Sequence, residues 1–103
     1  MRAYTWRDLC FDAQQGAEKA VKAIFVARDL DFPYVHDLAA LLTLLERGGV
    51  TVPDAVRSAG RLTRFAIEAR YPGVGEPVEH EEYERAVATA SAVVAWATEQ
   101  IEL

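Results

Sequence analysis

Arg70 is the charged residue in this chain whose setting best fits chemistry. Arg57, Arg61 and Arg64 recur at helical spacing on one face of the segment before it, whereas Arg70 falls toward the side of Ala59, Leu62 and Ala66. A half-buried guanidinium has two uses there. It can cap carbonyls at the helix end or pair with a carboxylate such as Glu18, or its planar fork can grip two oxygens of a phosphate. The next histidine is His80. If the intervening loop folds back, His80 becomes a general base for a ribose 2′-hydroxyl and Arg70 a stabiliser of the phosphorane. Arg70 and His80 are thus the candidate catalytic pair.

A second group of candidates binds rather than reacts. Glu18 and Lys22 stand four residues apart in the order that favours a helical ion pair. Glu18 is either a solvated partner of such a lysine or a buried acid neutralised by Arg70. Lys19 or Lys22 could hold a phosphate as a point charge. His36 stands beside Asp37 at the start of a helix, where it either bonds the turn or joins a pocket near Lys19 or Lys22. The Arg57, Arg61 and Arg64 stripe reads as a wet face, with RNA phosphates or an acidic partner as the alternative.

Several chemistries have no foothold. Glu76, Glu79, Glu81, Glu82 and Glu84 surround His80, but carboxylates gather at a helix N-terminus because the dipole favours them, so no metal site is expected. No glycine-rich phosphate loop, zinc-ligand spacing or serine-centred motif is present, and no cofactor is expected. The net charge of -5 argues against broad coating of nucleic acid, DNA included, while leaving room for a local basic patch. The single cysteine, Cys10, cannot form an internal disulfide and lies in an apolar series, which predicts a buried thiol and suits a reducing cytoplasm. No segment is apolar over the roughly 18 residues that a membrane span requires.

The elements that must position these residues read as helices. Cys10, Ala13, Ala17, Ala20, Ile24 and Ala27 recur in steps of three and four, predicting a first helix over about 5–29 with Thr5 as its cap. Leu38, Leu41, Leu42 and Leu45 mark a second over about 36–47, closed by Gly48-Gly49. Thr51, Pro53 and Asp54 announce a third that should run unbroken to about Tyr71. Pro72-Gly73-Val74-Gly75-Glu76-Pro77 must be a loop. Tyr83, Val87, Ala90, Val94, Ala97 and Ile101 then form the core stripe of a long last helix. With 103 residues, 51% of them hydrophobic, and short linkers, the expectation is one all-α domain, an up-and-down four-helix bundle over 1–103.

Three stretches carry a family resemblance: Ala13-Gln14-Gln15-Gly16-Ala17-Glu18-Lys19-Ala20-Val21-Lys22, His36-Asp37-Leu38, and Ala69-Arg70-Tyr71-Pro72. In this order they resemble the HEPN family of small helical proteins, often encoded beside a minimal nucleotidyltransferase, from about Asp8 to the C-terminus. The resemblance implies a nucleotide- or partner-binding module in a toxin–antitoxin-like pair, with Glu18, Lys19, Lys22, His36, Arg70 and Tyr71 at the binding site. The alternatives are a metal-independent endoribonuclease toxin or a purely structural dimer. Ribonuclease members of the family place a histidine a few residues after the active-site arginine, and the Arg70 to His80 spacing departs from that. Some members carry a tyrosine that the partner adenylylates, a motif that Tyr83 does not match. HEPN domains usually carry a further helix before the Ala-Gln-Gln helix, and here it is shortened or missing. That leaves an apolar face for a second subunit, or a start downstream of the true one, and in both cases implies a homodimer.

Overall fold

In the computed structural model, residues 4–71 and 76–102 are described, and all their regular structure is helical. Of the expected loop at 72–77, residues 72–75 lie outside the described residues, and Glu76 and Pro77 are in no helix. Helix α1 spans Trp6–Ala27 and starts as its sequence dictates. Thr5 caps it through a capping box in which the Thr5 hydroxyl accepts from the Asp8 amide at 3.2 Å and the Asp8 carboxylate accepts from the Thr5 amide at 3.0 Å. It stops two residues before the expected end because Asp29 takes a left-handed conformation, φ 56°. The Leu30 amide then bonds the Phe25 carbonyl at 2.8 Å, and the Asp29 amide bonds that of Val26 at 3.2 Å, consuming carbonyls the last turn leaves open.

Helix α2, Leu38–Arg47, begins after His36 rather than at it. Asp37 is the N-cap, accepting from the Ala40 amide at 3.1 Å. Its far end closes at Gly48 and Gly49, where Gly49 has φ 94° and the Val50 amide returns to the Leu45 carbonyl at 3.0 Å.

The third helix is not continuous. It consists of α3, Asp54–Arg57, a 3₁₀ segment, Ser58–Leu62, and α4, Thr63–Ala69. Thr51 does not cap it, because the residue before a proline is kept out of the helical region, and the helix starts only after Pro53. In the 3₁₀ segment Gly60 passes so close to α2 that a Cβ there would lie 3.1 Å from that of Ala39. The Ser58 hydroxyl bonds the Ala55 carbonyl at 2.8 Å, and the winding tightens. Each 3₁₀ step turns about 120° instead of about 100°, so the arginine stripe is split. Arg57 pairs with Glu46 on α2, while Arg64 pairs with Glu82 on α5, the last helix, His80–Glu102.

α5 packs along α1, and together with α2 and the broken third helix they form the four-helix bundle. The core contains Phe25, Ile24, Leu38, Leu41, Leu42, Leu45, Phe65 and Val93. Two stripes differ from their expected positions. On α5 the buried residues are Ala86, Ala90, Val93, Trp96 and Ala97, whereas Val87, Val94 and Ile101 stay exposed. The large Trp96 ring turns the helix toward itself; its Nε1 donates to the Thr51 carbonyl at 3.3 Å. On α1, Ala27 is exposed and the buried stripe includes two polar residues, Gln14 and Glu18. No helix among the described residues is long and apolar enough to cross a membrane.

Cys10 is fully buried at the start of this stripe. Burial pushes its thiol above the ordinary value, against a smaller opposing pull from Arg64 and Arg7. In native protein a maleimide or disulfide reagent should therefore leave Cys10 unmodified over hours, with one equivalent reacting on addition of denaturant. Fast stoichiometric modification without unfolding would show that the α1 core face is wrongly placed.

Candidate functional site

Glu18 projects from the middle of α1 into the bundle, and its surface is 5% exposed. A carboxylate there must collect donors or lose its charge. It collects three. Gln14, one turn earlier, donates Nε2 to Oε1 at 2.7 Å, and is itself steered by Gln15, whose Nε2 donates to Gln14 Oε1 at 2.6 Å. Lys22, one turn later, donates Nζ to Oε2 at 2.9 Å. The third donor, His36, comes from the connection before α2, with Nδ1 2.9 and 3.0 Å from the two carboxylate oxygens.

His36 is aimed by its backbone. Thr63, the first residue of α4, accepts from the Leu38 amide at 3.0 Å and donates to the His36 carbonyl at 3.4 Å. With Asp37 capping α2, the backbone that leaves His36 toward α2 is tied, and the ring is directed at α1. Its other nitrogen, Nε2, lies 2.7 Å from a terminal nitrogen of Arg70, just past the end of α4.

This pair of contacts assigns the tautomer. A guanidinium can only donate, so Nε2 must offer its lone pair, and the ring proton resides on Nδ1, where Glu18 accepts it. The chain of groups therefore runs from a buried carboxylate through a neutral imidazole to an exposed guanidinium. Glu18 and Arg70 do not bond directly, as the sequence allowed them to; His36 stands between them. His36, Ala66, Ile67, Arg70 and Tyr71 line a surface hollow of about 130 Å³. The Lys22 ammonium lies 5.9 Å from the Phe32 ring centre and 5.5 Å from that of Tyr34, whose ring is almost wholly exposed.

The structure thus brings together Glu18, Lys22, His36, Arg70 and Tyr71. Lys19 is exposed and has no hydrogen-bonded or charged partner among the described residues. His80 is elsewhere: its ring lies 4.6 Å from that of Trp6 and 6.2 Å from that of Tyr83, and its Nε2 is 3.1 Å from Glu84. Among the described residues no hydrogen bond joins Arg70 to His80. The histidine that Arg70 meets is instead the one 34 residues earlier. Gln14 and Tyr34 belong to this cluster as well. Gln14 had a signal, because with Cys10, Ala17 and Val21 it keeps the heptad-like spacing of the buried stripe. Tyr34 had none beyond lying next to Pro33 near His36.

As an electrostatic unit the cluster can recognise an anion. Burial pushes the Glu18 carboxyl up, but the hydrogen bonds from Lys22, His36 and Gln14 and the Lys22 charge outweigh it, so the group is held below its ordinary value. Glu18 therefore stays ionised, offset by Lys22, and Arg70 remains as a surplus cation with free donors facing solvent. A depressed carboxyl contributes stability that is fully present above its unfolded value, roughly pH 4.3. That contribution is lost as the pH falls through the lower folded value. Thermal melts should thus show the protein losing stability below about pH 4.5, with Glu18→Gln flattening that acid limb while lowering the plateau at neutral pH. An unchanged acid limb in Glu18→Gln would place the linkage on another carboxylate.

Compared with the curated proteins and with the solved structures, the chain finds no match in either. The family model described as HEPN domain matches residues 1–101. Nearly the whole of the chain is covered, including the helices that carry Glu18, Lys22 and Arg70 and the connection that carries His36, and the chain belongs to the HEPN family.

Proposed function

We propose that this HEPN domain is a nucleotide- or RNA-binding module whose site is the hollow at His36, Arg70 and Tyr71. The observation that carries the reading is the 2.7 Å contact between Arg70 and His36, which spends one guanidinium nitrogen on an internal partner and leaves the remaining donors at the rim. The hollow is about 130 Å³, room for a phosphate group but not for a nucleoside. A phosphate taken up by Arg70 would leave its base outside, within reach of the exposed Tyr71 ring that lines the hollow, and stacking on such a ring is the usual way to hold a base without reading it.

Two further parts of the proposal concern partners. The module works beside a minimal nucleotidyltransferase in a toxin–antitoxin-like pair, a reading that rests on family membership. It also works as a homodimer. Between α1 and α5 runs an apolar groove of about 580 Å³ lined by Leu9, Ala13, Gly16, Tyr83, Val87 and Val94, a surface suited to a second copy. Light scattering should then report twice the 11.4 kDa chain mass, and Val94→Glu should halve it. A wild-type monomer at micromolar concentration would remove this part.

One observation favours a second reading, the metal-independent endoribonuclease. Glu18 orients His36 through Nδ1 and leaves Nε2 as a lone pair at the surface, the geometry of a general base that Arg70 covers until a phosphate draws it away. The base in that reading is His36, not His80. If the module only binds, purified protein leaves RNA intact, and Arg70→Ala weakens nucleotide or oligoribonucleotide binding by roughly tenfold to a hundredfold, the worth of a charged hydrogen bond of about 1.5 to 3 kcal/mol. If it cleaves, RNA is cut without added metal. The activity then disappears in Arg70→Ala and His36→Ala and survives in His80→Ala. Binding unchanged in Arg70→Ala, with no cleavage by the wild type, would sink both readings.

A further inference from the structure

On the other side of α4 lies a cleft of about 460 Å³ between the 3₁₀ segment, α4 and α5, apart from the hollow at His36 and Arg70. Its lining combines two features. Leu62, Phe65 and Ala86, nearly buried members of the core's edge, form its apolar floor. Around them stand three arginines: Arg61 on the 3₁₀ segment, Arg64 on α4 and Arg85 on α5.

These arginines are not equivalent. Arg64 is committed to the fold: it pairs with Glu82, and its guanidinium lies 4.5 Å from the Phe65 ring centre. That pairing neutralises Glu82, the acid that lines the cleft. Arg61 and Arg85 have no hydrogen-bonded or charged partner among the described residues. Two cations from two different elements therefore border one concave surface, uncompensated, in a chain whose net charge is -5. Two planar forks flanking a hollow complement a dianion with several oxygens, and a phosphate monoester carries a charge of about -1.5 to -2 at neutral pH.

The surroundings select the size of the ligand. The volume lies within the roughly 300 to 1,000 Å³ typical of small-molecule sites. Glu79, just before α5, and Glu81 and Glu84 in its first turns are exposed acids, which disfavours an extended polyanion on this side of the molecule against a compact anion held between the two free arginines. We propose that this cleft is a second ligand site that takes a small phosphate monoester, with Arg61 and Arg85 on the phosphate and the apolar floor under the organic part. It is independent of the Arg70 site, and one can be present without the other.

The test uses the full chain and three probes: inorganic phosphate, phenyl phosphate and a short single-stranded oligoribonucleotide. Amide resonances of Ser58, Arg61 and Thr89, which border the cleft, are followed by NMR during each titration. Phenyl phosphate should shift them and bind more tightly than inorganic phosphate, because only the ester covers the apolar floor. Replacing both free cations, Arg61→Gln with Arg85→Gln, should weaken that binding roughly tenfold or more while leaving helicity and melting temperature unchanged, since both side chains are exposed. Arg70→Ala should leave it as it is. The proposal is overturned if the double variant binds phenyl phosphate like the wild type, if the resonances that move are those around Arg70 alone, or if the oligoribonucleotide outcompetes phenyl phosphate at the cleft.

Discussion

Glu18 is an acid placed where the pattern of α1 would otherwise put an apolar side chain, and satisfying it determines much of what surrounds it. An ionised carboxylate nearly removed from water is costly unless its lone pairs are filled, and a missing donor costs more than a whole apolar replacement would. Gln14 and Lys22 come with the helix itself, one turn to either side. The remaining capacity has to be filled from outside α1, and His36 fills it. That demand adds to the packing of Leu30, Phe32 and Val35 on the core in holding the connection between α1 and α2.

The consequence reaches the solvent. A histidine whose Nδ1 proton is taken by a buried acid has its lone pair at Nε2, and that lone pair attracts Arg70. Glu18 and Arg70 call for the same His36 tautomer, and without it Arg70 would have no internal anchor. An arginine tethered at one nitrogen loses less freedom on meeting a phosphate than one waving in water, so the buried acid preorganises the cation at the rim. The same logic explains why Thr63 matters although it lies outside the cluster: it bonds the His36 carbonyl and the Leu38 amide and so joins α4, at whose end Arg70 stands, to the start of α2.

What could be read from the sequence follows from the range of the forces involved. Helix positions and caps depend on neighbours within four residues, and the start at Thr5, the end at Arg47 and the Gly48-Gly49 turn were all legible. The break in the third helix was not, because it falls where Gly60 packs against Ala39, a contact between residues far apart in the chain. The stripes were misplaced by a fraction of a turn for a related reason: small alanines occupy both flanks of α1 and α5, so the apolar pattern alone does not choose which flank faces inward, and Trp96 does. Within the site, Glu18, Lys22, His36, Arg70 and Tyr71 were recognisable as candidates through the three family stretches. Their connection through His36 was not, since nothing in a linear chain says which histidine an arginine will meet.

α4 therefore divides the molecule's positive charge between two jobs. At its C-terminal end Arg70 is tied inward through a histidine to a buried acid, with a hollow sized for a phosphate group alone. At its N-terminal end Arg64 is spent on Glu82, and the tighter winding of the 3₁₀ segment turns Arg61 away from Arg57 toward α5 and a larger, partly apolar cleft. Had the third helix been regular, Arg57, Arg61 and Arg64 would have shared one solvated face, and α5 would have met no second cation opposite Arg85. The break is thus more than a defect in a helix. It converts a stripe of surface charge into a concave one, and separates the two arginine-bordered hollows so that neither draws on the other's arginine.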